Sequence, residues 1–223
     1  ISLFPGKFEF ETNRLFNLII SISVVFGISK ITRELFNKKV SVIIFVIFII
    51  YPVYFGHMAI NANDTITASA NIWITYLVLR YLKNQIDIKR NKYVILIAIS
   101  LAFGTGVRLV FIGSILPLLI FILSDIFFFK KFTSDTFSKK IFFYDLFKII
   151  IISYLIIILF WVPAHTNIFI LPLKFFLESI SVLAAGWPLI LIDGEYYFSN
   201  NAPKFYLFIN FFFKTPEYLL FLS

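Results

Sequence analysis

The stretch LVFIGSILPLLIFILSDIFFF, Leu109–Phe129, decides how the rest of the chain is read. It is an apolar block of 21 residues, and a helix needs about 20 such residues to cross the hydrocarbon core of a bilayer. Further long blocks lie at Val40–Tyr54 and Ile149–Val162, again as runs rather than as amphipathic stripes. The shorter blocks reach across with interfacial aromatics at their ends or with little tilt. Working outward from these blocks, the pattern predicts apolar helices at about 15–29, 40–54, 66–82, 93–106, 109–129, 147–163 and 205–222.

Composition agrees with a membrane setting. Of 223 residues, 60% are hydrophobic and only 14% are charged, whereas a soluble domain carries roughly 25% charged residues to cover its surface. The net charge of +8 does not point to nucleic acid, because no run pairs Arg and Lys with aromatics as a single-strand groove requires. Without cysteine the chain has no disulfide and no thiolate metal site. No GxSxG, HExxH or P-loop pattern occurs, which removes support for soluble hydrolases, zincins and NTPases.

The basic residues alternate from loop to loop. Segments 30–39, 83–92 and 130–148 hold 13 of the 20 Lys and Arg residues, which assigns those three loops to the cytoplasm. The opposite, external side receives 1–14, 55–65, a tight turn near 104–108, and 164–204. The expectation is an all-α, polytopic transmembrane helical bundle of about seven spans with an external N-terminus, forming one domain over 1–223. Segment 164–204 is expected to lie outside as an interfacial segment. In it Ile168–Val182 is apolar but interrupted by Pro172, Lys174 and Glu178, which suits a helix in the interface, and Ala184–Pro203 has loop chemistry. The chain begins at Ile1 rather than Met and ends at Ser223 within an apolar run, so it reads as a piece of a longer protein.

Polar residues near membrane level are costly and point to function where they cluster. Four clusters fall on the external side. Gly56–Thr65 carries His57, Asn61, Asn63 and Asp64, a set of carboxylate and amide oxygens that suits a hard divalent cation or a sugar hydroxyl. Asn63-Asp64-Thr65 equally suits the N-cap of the helix running to Leu82, and a helix start also favours phosphate. Gly104-Thr105-Gly106-Val107-Arg108 offers Arg108 as a phosphate clamp or as a side chain snorkelling to headgroups, with the glycines making the turn or a close helix approach. Asp193–Tyr206, with Glu195, Tyr196, Tyr197 and Lys204, mixes acids, amides and aromatics as carbohydrate sites do, and as interfacial belts do. Arg14, after Glu9 and Glu11, opens a span where the helix dipole disfavours a cation and so invites an anion. His165 reads as a structural loop histidine.

At these residues the chain resembles the GT-C superfamily of membrane glycosyltransferases, in the branch similar to protein O-mannosyltransferases and aminoarabinose transferases. Arg14-Leu15-Phe16-Asn17-Leu18, the run from Pro52 through His57 to Asn63-Asp64-Thr65, and Gly194-Glu195-Tyr196-Tyr197 with Pro203, Tyr206 and Lys214-Thr215-Pro216 carry the resemblance in order. It implies transfer of a sugar from a polyprenyl-phosphate donor to an acceptor at the external face of a bacterial inner membrane. Asp64 matches an acid of the second external loop near the donor phosphate or a metal, Arg108 a basic position one loop later, and Arg14 the start of the family's second span. The family's first-loop catalytic base has no counterpart here, its place falling before Ile1. His57, Asn61, Asn63, Glu195, Tyr196 and Lys204 complete the candidate substrate contacts. A divalent metal, Mg or Mn, is compatible with Asp64 but not demanded. The alternative is a transporter or lipid flippase, which would carry charges in mid-span and repeated halves, and neither is seen.

Overall fold

Helices α2, α4 and α7 each begin at a side chain that bonds an unpaired backbone N–H. The computed structural model of the protein describes residues 8–134, 136–185, 189–192 and 194–198, and beyond these 201, 203–206, 208, 211, 212, 215 and 216. Helix α1 spans Glu9–Leu35, with Glu9 and Glu11 in the first turn, where the dipole favours acids. Asn37 accepts from Val40 N at 2.9 Å and starts α2, Lys38–Ile50. Pro52 then opens the short α3, Pro52–His57, at the first position, where a missing N–H costs nothing. Asn61 caps α4, Ala62–Lys83. Helix α5 is Arg90–Val107 and α6 is Phe111–Ser124, which continues as a π-helical turn through Phe129. Ser138 caps α7, Lys139–Phe160.

The first six predicted helices are thus present, with shifted ends. Helix α1 starts six residues before the expected 15, so Arg14 stands in its second turn rather than at its start. Helix α7 starts at Lys139, so the second half of the expected loop 130–148 is helical. The predicted span at 205–222 lies largely outside the described residues.

Neighbouring helices run in the order α2–α1–α4–α5–α7, with α6 against α4 and α5. Three helical stretches, Glu9–Leu35, Phe111–Phe129 and Lys139–Phe160, are long and apolar enough to cross a membrane by length and composition. The expectation had about seven. Helix α4 is shorter of apolar residues because it is the central helix, flanked by α1 and α5. Its hydroxyls are spent internally: Thr65, Thr67 and Thr75 donate to the carbonyls of Asn61, Asn63 and Asn71 at 2.7 to 2.8 Å. A core of Ile74, Tyr81, Leu82, Val94, Ala98, Phe111 and Phe142 joins α4, α5, α6 and α7.

Asp125, the one acid inside the block that opened the reading, does not face lipid. It is buried at the start of the π turn, and its carboxylate accepts from the backbone N–H groups of Lys131, Phe132 and Thr133 at 2.8 to 3.3 Å. One π turn before its end, the apolar block therefore carries a carboxylate that folds the following loop back under the helix.

Two contacts fix which helix ends lie together. At the basic end, Glu34 of α1 pairs with Arg80 at 2.9 Å and Lys83 at 3.0 Å near the end of α4. Also at this end, Asp145 of α7 meets Tyr81 Oη at 2.8 Å and Arg90 Nε at 3.4 Å. Gln85 bridges Tyr81 and Ser138 there. Asp145 had been placed in a solvated loop, but it is 1% exposed. At the other end lie the first turn of α4, the last turn of α5 and the first half of α1. Helices α1 and α4 therefore run parallel.

Past α7, a 3-10 turn, Val162–Thr166, leads to α8, Ile170–Ala185, tied back by Trp161 against Phe175 and by Tyr154 donating to Ile168 O. The helix predicted for Ile168–Val182 is thus present. The loop predicted after it is in part a hairpin: Leu189–Ile192 pairs antiparallel with Glu195–Phe198, and Gly194 takes a positive φ of 83° in the two-residue turn. Two four-residue runs, aliphatic in Leu189–Ile192 and largely aromatic in Glu195–Phe198, split by Asp-Gly, are a hairpin pattern that loop composition masked.

Candidate functional site

Helix α4 begins with a reciprocal cap. Asn61 Oδ1 accepts from Asp64 N at 3.3 Å, and Asn61 Nδ2 donates to Asp64 Oδ2 at 2.5 Å. The cap expected at Asn63-Asp64-Thr65 therefore sits at Asn61, and Asp64 is the third helical residue, the usual place of the acid in a capping box. This leaves Asp64 Oδ1 pointing away from its own helix. It receives Arg108 Nη1 at 2.8 Å.

Arg108 reaches it because α5 does not turn where glycine-rich composition suggested. The segment Gly104–Val107 is still helical, and Arg108 is the extended residue that ends the helix. Gly104 is needed for a close approach: a Cβ there would lie 2.3 Å from the Phe111 ring. Phe111 is 2% exposed and anchors the start of α6, so the ring cannot swing away freely. Gly104→Ala is expected to destabilise the protein by about 1–3 kcal/mol, the usual cost of overpacking. Thermal melting in detergent checks this, with Gly106→Ala, where nothing lies within 4 Å, as the tolerated comparison.

The Asp64 and Arg108 side chains are 54% and 52% exposed. A pair this open adds at most about 1 kcal/mol to stability. Its value lies in presenting a guanidinium, with five N–H donors of which the pair engages one nitrogen, beside a carboxylate at the helix end. That combination binds phosphate oxygens and orients polar groups. An apolar groove of about 210 Å³ between α5 and α7 runs up to this end, lined by Ala102, Phe103, Gly106, Val107, Ile156, Ile157, Phe160 and Trp161.

Under the pair, α1 supplies a polar ladder. Asn17 and Ser21, one turn apart and buried, hold the chain that leads into α4. Asn17 Oδ1 accepts from Thr65 Oγ1, Ser21 Oγ donates to Met58 O at 2.8 Å, and Tyr54 Oη donates to Ser21 O at 2.8 Å. Sequence reading missed this ladder. Its only signal was an Asn and a Ser four apart inside an apolar helix.

The family model for dolichyl-phosphate-mannose-protein mannosyltransferase matches residues 2–161, more than two thirds of the chain. The chain belongs to that family. It is therefore a membrane glycosyltransferase of the GT-C type, as the resemblance implied. No curated protein and no solved structure matches it. The stretch matched to the mannosyltransferase family contains all of α1 through α7, and so both Asp64 and Arg108.

Within this family member, the structure joins Asp64, Arg108 and Asn61 and leaves the other candidates apart. Arg14 stacks its guanidinium over Phe10, 4.1 Å from the ring centroid, on the exposed side of α1. His57 ends α3, and Asn63 is exposed in the first turn of α4. Neither side chain makes a hydrogen bond to Asp64 among the described residues. Glu195 accepts from Tyr197 Oη at 3.0 Å within its own strand. Tyr196 is exposed, as is Lys204. Asp193, Ser199, Asn200 and Lys214 lie outside the described residues. His165 Nε2 bonds Ile158 O at 2.8 Å and closes the end of α7. Among the described residues, no three His, Asp or Glu side chains converge as metal ligands. A divalent cation at Asp64 would have to displace Arg108 from it.

Proposed function

We propose that the protein transfers a sugar from a polyprenyl-phosphate donor to an acceptor on the external face of a bacterial inner membrane, with Arg108 and Asp64 at the donor. The Arg108–Asp64 pair carries this reading, because a guanidinium of the kind that suits phosphate meets an acid at the helix ends opposite the basic loops. The charge alternation supports the orientation.

In the proposed step an acceptor hydroxyl or amine attacks the anomeric carbon and loses its proton to a carboxylate base. The bond from that carbon to the phosphate oxygen breaks, and polyprenyl phosphate leaves with the electron pair. Arg108 holds the oxygen on which charge grows, in a role that Lys204 would share from the following segment. Asp64, with both oxygens taken by donors, suits the orientation of Arg108 and of the sugar better than proton abstraction. Asn61 keeps Asp64 in place. His57, Asn63, Glu195 and Tyr196 are proposed sugar or acceptor contacts, and Arg14 a second cation for the donor. The donor's isoprenoid chain lies along the apolar groove between α5 and α7.

The test is release of polyprenyl phosphate from polyprenyl-phosphate mannose by the full-length protein in membranes that contain its native acceptors. Asp64→Asn keeps the shape but loses the charge, and turnover is expected to fall about a hundredfold. No release by the wild-type protein, or unchanged turnover in both Asp64→Asn and Arg108→Ala, would overturn the reading.

A further inference from the structure

Asn17 is a costly residue in its position. It is 3% exposed in the first half of α1, and its Nδ2 has no hydrogen-bond partner among the described residues. Turning the amide over only exchanges the atoms, so that Nδ2 would meet Thr65 Oγ1 and the oxygen would be left unpaired. A leucine or alanine would pack into an apolar helix face without burying an unsatisfied amide. Stability alone therefore does not account for asparagine here.

What Asn17 does hold is the residue next to Asp64. Its partner Thr65 is 5% exposed, and the Thr65 hydroxyl shares its one proton between Asn17 Oδ1 and the carbonyl of the cap residue Asn61, 2.8 Å away. Asn61 in turn grips the Asp64 carboxylate. The chain of contacts Asn17–Thr65–Asn61–Asp64 runs from the inside of α1 to the open ion pair. Ser21, one turn further along, fixes the incoming strand of the same loop through Met58 O. Resting on the assignment of Asp64 to the donor site, we infer that Asn17 is a positioning residue. It sets the rotation and height of the first turn of α4, and so the direction in which Asp64 presents Arg108.

A second α1–α4 contact of the same chemical kind allows the inference to be separated from mere helix packing. Ser23 Oγ and Ser69 Oγ lie 3.3 Å apart, part-buried and just over one turn further along α4 from Asp64. In the full-length protein, Asn17→Leu and Thr65→Val are each expected to lower kcat about tenfold for polyprenyl-phosphate mannose, with KM for that donor within twofold. The double variant should be no worse than either single one, since both remove one link. Thr65→Ser keeps the hydroxyl and is expected to restore kcat, and Ser69→Ala should stay within twofold of wild type. Thr65→Val is nearly isosteric and carries the test even where Asn17→Leu fails to fold. Equal losses in Ser69→Ala and Thr65→Val would make the contact ordinary packing and overturn the inference. So would unchanged kcat in Thr65→Val while Asp64→Asn loses turnover, which leaves the site reading standing. Full turnover in Asp64→Asn would remove Asp64 from the donor site and the inference with it, while Arg108→Ala still tests the rest of the site.

Discussion

Arg108→Ala is expected to lower kcat/KM for a polyprenyl-phosphate sugar by at least about a hundredfold, the range seen when one preorganised donor to a developing charge is removed. The structure gives the reason for so large an effect at an exposed residue. Arg108 ends α5 in an extended conformation, fixed on one side by the Gly104–Phe111 contact and on the other by Asp64. Its guanidinium is thus held in place before any ligand arrives. Arg108→Lys keeps the charge but loses the planar fork, and should recover only part of the loss. Folding should be untouched, since an open ion pair adds at most about 1 kcal/mol. Equal melting temperatures of wild type and variant, together with donor turnover, check both halves. A variant that keeps full turnover would separate Arg108 from the donor phosphate.

The second large effect is expected at the opposite end, and on stability. Arg90→Ala removes the cation facing Asp145, whose side chain is 1% exposed, and leaves Tyr81 Oη as its remaining hydrogen-bond partner. One carboxylate oxygen, Oδ1, is already without a partner. Taking one member from a buried ion pair costs about 3–5 kcal/mol, because the other charge stays behind. Asp145→Asn removes that charge and should cost less than Arg90→Ala. Combining the two should restore much of the loss. Denaturant-induced unfolding in mixed micelles reads the order. Were Arg90→Ala the milder change, the pair would have little energetic weight.

These two ends differ in how far the sequence disclosed them. The helices were legible because apolar runs and basic loops are long-range, redundant signals that survive errors of several residues. Asp64 and Arg108 were legible as individual polar residues at helix ends. Their pairing was not, because it depends on where α4 and α5 begin and stop, and Asn61 moved the start of α4 four residues earlier than the apolar pattern indicated. Asp145 is hidden for the same reason: five lysines and two aspartates in 130–148 have the composition of a solvated loop, whereas the Ser138 cap starts a helix that carries Lys139, Lys140, Asp145 and Lys148. Asn17 could not be valued at all without its partner 48 residues away. Arg14, Glu195, Tyr196 and Lys204 stand out by residue type, position and resemblance, and the described contacts of Arg14 and Glu195 stay within their own elements.

The central place of α4 also bears on how the protein is made. A helix with so many hydroxyl and amide side chains partitions weakly into lipid by itself, and here it emerges from the ribosome after α1 and before α5. Its threonines can satisfy themselves on their own backbone, but Thr65, Ser69 and Arg80 find their longer-range partners on α1. Were α4 to enter the bilayer, α1 would be the neighbour already made that offers it partners, through Asn17, Ser23 and Glu34. The same contacts that aim the acid in the finished enzyme would act first as the handhold by which its helix is kept in the membrane.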